Sequence, residues 1–155
     1  MVPPFTHPPQ SLSASLVGTW ELLSRRDCTP SGEPRTEPSL GSDPVALLFF
    51  DGQGHFAAQF MKRDRGAATE ASPGSAVPNN SRARGGYDAY FGTYSVDGQS
   101  GTVSTTLVGA LSPENVGQVY VRAMSVLGNE LTIRLETRSG EGEPIVRTLT
   151  WARVG

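Results

Sequence analysis

Glu130-Leu131-Thr132-Ile133-Arg134-Leu135-Glu136-Thr137-Arg138, entered through Gly128-Asn129, is the stretch whose reading decides the fold. Leu131, Ile133 and Leu135 alternate with Thr132, Arg134 and Glu136. Successive strand side chains point to opposite faces, so this period of two gives one face to a core and the other to water. The Gly-Asn pair ahead of it is hairpin chemistry, because tight turns need residues that tolerate a positive φ. The same grammar recurs outward in both directions. Asp51-Gly52-Gln53-Gly54, Asp97-Gly98-Gln99 and Ser139-Gly140-Glu141-Gly142 separate β-rich runs. Strands are expected at about Val17 to Asp27, Val45 to Phe50, His55 to Lys62, Tyr87 to Val96, Thr102 to Leu111, Gln118 to Val126, Glu130 to Arg138 and Ile145 to Arg153, with a further short one near Gly32 to Glu37.

Length and composition agree with an all-β chain. The 155 residues fit one domain, and 18 Gly, 12 Pro and a hydrophobic fraction of 37% suit short strands and turns better than a helix bundle. About eight strands joined mostly by short turns predict a small antiparallel up-and-down β-barrel of about eight to ten strands, since closure removes exposed edges. A two-sheet sandwich is the alternative. Eight strands enclose an interior that side chains fill or that holds one small ligand. Pro3, Pro4, Pro8 and Pro9 mark residues 1–13 as an extended arm, and residues 14–155 form the expected single domain. Two segments interrupt the meander: Cys28 to Pro44, and Arg63 to Gly85, which carries Arg63, Arg65, Arg82 and Arg84 and reads as a solvated or disordered insertion.

Charge and cysteine content exclude several classes. Thirteen Lys and Arg against fifteen Asp and Glu leave a net charge of -2, with no basic excess for a phosphate backbone or an anionic bilayer. Neither nucleic acid nor membrane is an expected partner. A single cysteine, Cys28, forms no intramolecular disulfide and no cysteine-based metal cluster. The proline-rich start lacks the apolar run of a signal peptide, so the expectation is a soluble, cytoplasmic monomer or homodimer. No phosphate-binding loop, dinucleotide fingerprint, zinc motif or nucleophile elbow is present, and no cofactor or metal is expected. His7 and His55 have no evident partner residues for metal or triad chemistry.

The segment Leu16-Val17-Gly18-Thr19-Trp20-Glu21-Leu22-Leu23-Ser24 resembles the first strand of the lipocalin-like domain family within the calycin group of barrels. Leu40-Gly41 with Pro44, Leu47 to Gly52, Ala58-Gln59-Phe60-Met61, Tyr90-Phe91-Gly92-Thr93-Tyr94, Gly101-Thr102-Val103, Gly117 to Arg122 and Leu149-Thr150-Trp151 look like its later strands. The likeness spans nearly all of Leu16 to Val154. It implies a barrel with an internal cavity, and a Trp20 that closes one end beneath an arginine of the last strand, Arg153 or Arg147. Related barrels bind apolar ligands, and some barrels of this general type act as cyclases or isomerases in natural-product pathways. Thr105 and Thr106 stand where the family often has histidines, so the resemblance carries no histidine-dependent activity across.

Seven residues are candidates for contact with a ligand. Tyr90 and Tyr94 sit four apart, hence on one strand face, with Gly92 between them expected to leave open volume. Gln59 and Met61 share one face while Phe56, Ala58 and Phe60 share the other. The resemblance favours Gln59 and Met61 inward; apolar patterning favours the phenylalanines. Tyr120, Arg122 and Met124 share a face. A buried Arg122 must pair, with Asp88 or Glu114, or meet an anion such as a ligand carboxylate or enolate. The expected function is binding of a small, largely apolar molecule in the barrel interior. The alternative is a cofactor-independent cyclase or isomerase acting on a polyketide or terpenoid intermediate; a third is an interaction protein with a filled barrel.

Overall fold

The computed structural model describes residues 11–64 and 84–155. His7 with the rest of residues 1–10, Arg65 and Arg82 lie outside the described residues, while Leu12 and Ser13, expected in the extended arm, are helical. Nine strands follow one another: β1 (Gly18–Cys28), β2 (Pro34–Arg35), β3 (Val45–Phe50), β4 (His55–Met61), β5 (Tyr87–Asp97), β6 (Thr102–Ala110), β7 (Val119–Leu127), β8 (Glu130–Arg138) and β9 (Pro144–Arg153). Strands β3 to β9 each pair with the next, β3 pairs with β1, and β9 returns to β1 through contacts such as Trp20 opposite Arg153. All pairings are antiparallel, so eight strands close into an up-and-down barrel and the sandwich alternative is ruled out. The short β2 hangs on the far end of β1 through Asp27–Arg35 and Cys28–Pro34.

Alternation in sequence becomes alternation in burial. Leu131, Ile133 and Leu135 are buried in β8, as are Ala46, Leu48 and Phe50 in β3, and Phe56, Ala58 and Phe60 in β4. Two irregularities break the period. In β1 the pairing with β9 slips between Leu22 and Ser24, so Leu23 is the extra residue and lies exposed. A bulge of this kind shifts the phase of the strand beyond it. Trp20 and Leu22 point inward before it; Arg25 and Asp27 are buried after it. The second slip lies between β5 and β6, where Phe91 pairs with Gly109 and Gly92 with Leu107, leaving Val108 unpaired.

One end of the barrel is sealed. A one-turn helix, α1 (Leu12–Leu16), is too short to leave a periodic signature in sequence. It is capped by Ser11, whose side chain accepts from the Ala14 amide at 3.2 Å. Leu16 packs into the core, and its carbonyl accepts the Trp20 indole N–H at 2.9 Å. The Arg153 guanidinium lies 4.4 Å above the Trp20 ring centre and donates to the Val17 and Ser15 carbonyls at 2.7 and 2.6 Å. Of the two arginines considered for this seal, Arg153 fills the role. Among the described residues no helix is long and apolar enough to cross a membrane.

Candidate functional site

A cavity with about 60 Å³ of room for water-sized molecules lies inside the barrel. One wall is aromatic. Phe50, Phe56 and Phe60 reach it from β3 and β4, Tyr90 from β5 and Trp151 from β9. Their rings interlock, with Phe60 stacked near Tyr90 at 6.3 Å and edge-on to Trp151 at 5.8 Å between ring centres. Met124, Ile133 and Leu149 supply aliphatic surface, while Thr105, Tyr120, Arg122 and Arg147 bring polar groups. Ala58, between the two phenylalanines of β4, is the small residue that keeps the wall open.

Four of the seven candidates, Tyr90, Tyr120, Arg122 and Met124, line this cavity. Gln59 and Met61 do not: Gln59 is exposed and Met61 half-buried on the outer face of β4. Burying Phe56 and Phe60 removes more apolar surface than burying Gln59 and Met61, and the two sets cannot both face inward. Tyr94 shares the inner face with Tyr90 but sits at the rim, edge-on to Phe50 at 4.8 Å, its hydroxyl donating to the Asp51 carbonyl at 2.6 Å. Gly92 leaves no open volume. A Cβ there would fall 1.8 Å from the Thr106 carbonyl oxygen, because β6 closes onto it at the Val108 bulge.

Past the β1 bulge the interior is charged. The Arg147 guanidinium is held by both carboxylate oxygens of Asp27, at 2.8 and 2.9 Å. Arg25 contacts Glu37 at 3.5 Å, and its Nε and Nη2 are buried without hydrogen-bond partners. Burial chiefly, with repulsion from Arg147 next, lowers the Arg25 pKa to about 10. Glu37 also accepts from the Ser39 and Leu40 amides at 3.0 Å each, drawing that loop over this end. Asp88 is 1% exposed and its Oδ2 is unpartnered. Desolvation raises its pKa to about 6, against the opposing effects of the Ala89 amide bond and of Arg25.

A folded-state pKa raised from 3.8 to about 6 places a stability slope in that window. The protonated form is the one that folding favours, so the contribution is complete below pH 4 and is lost as pH rises through 6. At 1.36 kcal/mol per unit this amounts to about 3 kcal/mol. Urea denaturation from pH 4 to pH 7.5 is expected to show wild type losing roughly that much stability relative to D88N. Parallel profiles for the two proteins would refute the assignment.

Arg122 differs from the other inward charges. It lies half-buried over the Tyr120 ring, 4.6 Å from its centre, and its one hydrogen bond among the described residues is to the adjacent Val121 carbonyl at 3.3 Å. Of the carboxylates offered to it by the sequence, Glu114 faces Arg84 at 3.6 Å, and Asp88, whose Oδ2 has no partner among the described residues, forms no ion pair with Arg122 there. Burial lowers the Arg122 pKa, and Arg147 pushes the same way. Tyr90 is shifted upward by desolvation, so its phenol stays protonated and has a proton to donate. The Trp151 indole N–H is buried with no acceptor among the described residues.

A model of the lipocalin-like domain matches residues 17–154, nearly all of the described chain from β1 onward and the whole of the barrel. The chain belongs to the lipocalin-like domain family. No curated protein matches it. The lipocalin-like match begins one residue before β1 and ends one residue after β9, so it covers the closed barrel and the full cavity wall. Sequence reasoning found Tyr90, Tyr120, Arg122 and Met124 but missed Trp151 and Arg147 as lining residues. The signal available for Trp151 was its period-two partnership with Leu149 and Arg147 in the last strand.

Proposed function

We propose that this lipocalin-like barrel binds a small, largely apolar molecule in its interior. The cavity carries the reading: it is walled by Phe56, Phe60, Trp151 and Leu149, with its polar groups few and convergent. Burial of apolar ligand surface contributes about 25 cal/mol per Å², and the preformed aromatic wall keeps the ordering cost low. The volume suits a single small ring or the narrow part of a larger molecule. Filling it tests the reading. Ala58→Leu is expected to weaken binding of toluene, followed by NMR shifts of the two indole N–H signals, by at least about tenfold while the thermal midpoint falls by no more than a few degrees. Undiminished toluene affinity in a folded A58L protein would place the ligand elsewhere.

One observation supports the cyclase or isomerase reading as a second possibility. The Tyr90 phenol and the Arg122 guanidinium face one cavity and act on each other electrostatically, a pairing suited to stabilising negative charge on a substrate oxygen. Such a reaction needs the cavity to hold a flexible polyketide or terpenoid chain near its reactive conformation. Mass spectrometry of candidate substrates with wild type and Y90F separates turnover from simple binding.

A further inference from the structure

We infer that the cavity selects a ligand bearing an oxyanion, seated on the Arg122 guanidinium with the apolar body against the aromatic wall. The inference rests on the reading of the cavity as a ligand site and names the chemistry of its occupant. Its basis is the sharing of charge inside the barrel. Arg147 has both oxygens of Asp27, and Arg25 has Glu37 and acts in turn on Asp88. Arg122 faces the cavity without a carboxylate among the described residues, bonded only to the carbonyl next to it in sequence.

Position adds to this. Arg147 stands opposite Leu135 across β8 and β9, and Arg122 follows the Ala123–Arg134 pair at the end of the β7–β8 ladder. The two guanidiniums therefore border one region of the cavity, close enough that the Arg147 charge disfavours that of Arg122. An oxyanion there relieves that repulsion and accepts charge-assisted hydrogen bonds that a neutral acceptor makes more weakly. Tyr90, kept protonated by burial, supplies a further donor in the same region. Stacking on Tyr120 fixes the plane of the Arg122 guanidinium before the ligand arrives, which lowers the cost of ordering it.

The test compares sodium benzoate with benzamide, its neutral near-isostere, at pH 7 by NMR titration. The two indole N–H signals report directly. Trp20 is already bonded to the Leu16 carbonyl and serves as the internal control, whereas the Trp151 indole faces the cavity without an acceptor. Benzoate is expected to bind about tenfold or more tightly than benzamide, moving the Trp151 signal and leaving Trp20 in place. Arg122→Met is expected to erase the preference, benzoate losing about tenfold more affinity than benzamide, and Arg122→Lys to restore part of it. Equal affinity for the two probes in wild type would overturn the oxyanion and leave the apolar cavity standing. A benzoate preference that survives in R122M would assign the anion to a different group. Binding of neither probe would overturn the oxyanion and the cavity reading together.

Discussion

Asp27→Ala is expected to destabilise the protein by about 3–5 kcal/mol, the range found when one partner of a buried ion pair is removed. The pair it breaks is bidentate and almost wholly enclosed, with side-chain exposures of 2% for Arg147 and 6% for Asp27. Without the carboxylate, the Arg147 guanidinium stays in the barrel beside Arg25, whose charge it already disfavours. The two arginines then repel one another through a medium that screens poorly. The urea midpoint checks the size of the loss. A second variant checks the cause: Asp27→Ala combined with Arg147→Met removes both charges and should recover most of the stability, because an apolar replacement of a buried pair is often neutral or better. A single-mutant loss below about 1 kcal/mol would mean that the pair is solvated in solution.

The second large effect belongs to Gly92. An alanine methyl there would meet the Thr106 carbonyl oxygen at 1.8 Å and both the Thr106 carbonyl carbon and the Val108 nitrogen at 2.9 Å. All three are backbone atoms, so no rotamer change relieves the contact and the β5–β6 ladder itself must part. The expected cost is about 3 kcal/mol or more, at or beyond the upper end for overpacking. Loss of soluble protein is the same result in stronger form. Gly98→Ala is the control, since its Cβ would find nothing within 4 Å; it should shift stability by no more than about 0.5 kcal/mol. Comparable midpoints for the two variants would show that the ladder at the Val108 bulge is looser than this packing requires.

These residues also mark how far the sequence could be read. The β8 alternation of Leu131, Ile133 and Leu135 stood out because each strand residue commits to one face, and the barrel obeys it. The turns at Gly52–Gly54 and Gly128-Asn129 were legible for the same local reason: their conformational needs restrict the residues that fit. Spacing put Tyr120, Arg122 and Met124 on one face of β7, and closure of the barrel turned that face toward the cavity. For β4, apolar pattern and family resemblance pointed in opposite directions, and the apolar pattern prevailed because two phenylalanines outweigh an amide and a thioether in the core. Gly92 misled for a different reason. A glycine records that something approaches closely, without recording whether it is a ligand or the neighbouring backbone.

The sequence by itself determined the strands, their hairpin order and the all-β class, because hydrophobic periodicity and turn chemistry act between residues near in the chain. Tertiary structure alone decided what fills the barrel. Counting by twos from Trp20 and Leu22 would send Ser24 and Arg26 inward; the single extra residue at Leu23 instead turns in Arg25 and Asp27, and with them the charged interior. Closure of β9 onto β1 then brings Arg147 to Asp27, 120 positions away in the chain, and leaves Arg122 facing the cavity with no carboxylate beside it among the described residues. Local preferences set the period of a strand, but its phase and its partners are set by pairing across the sheet.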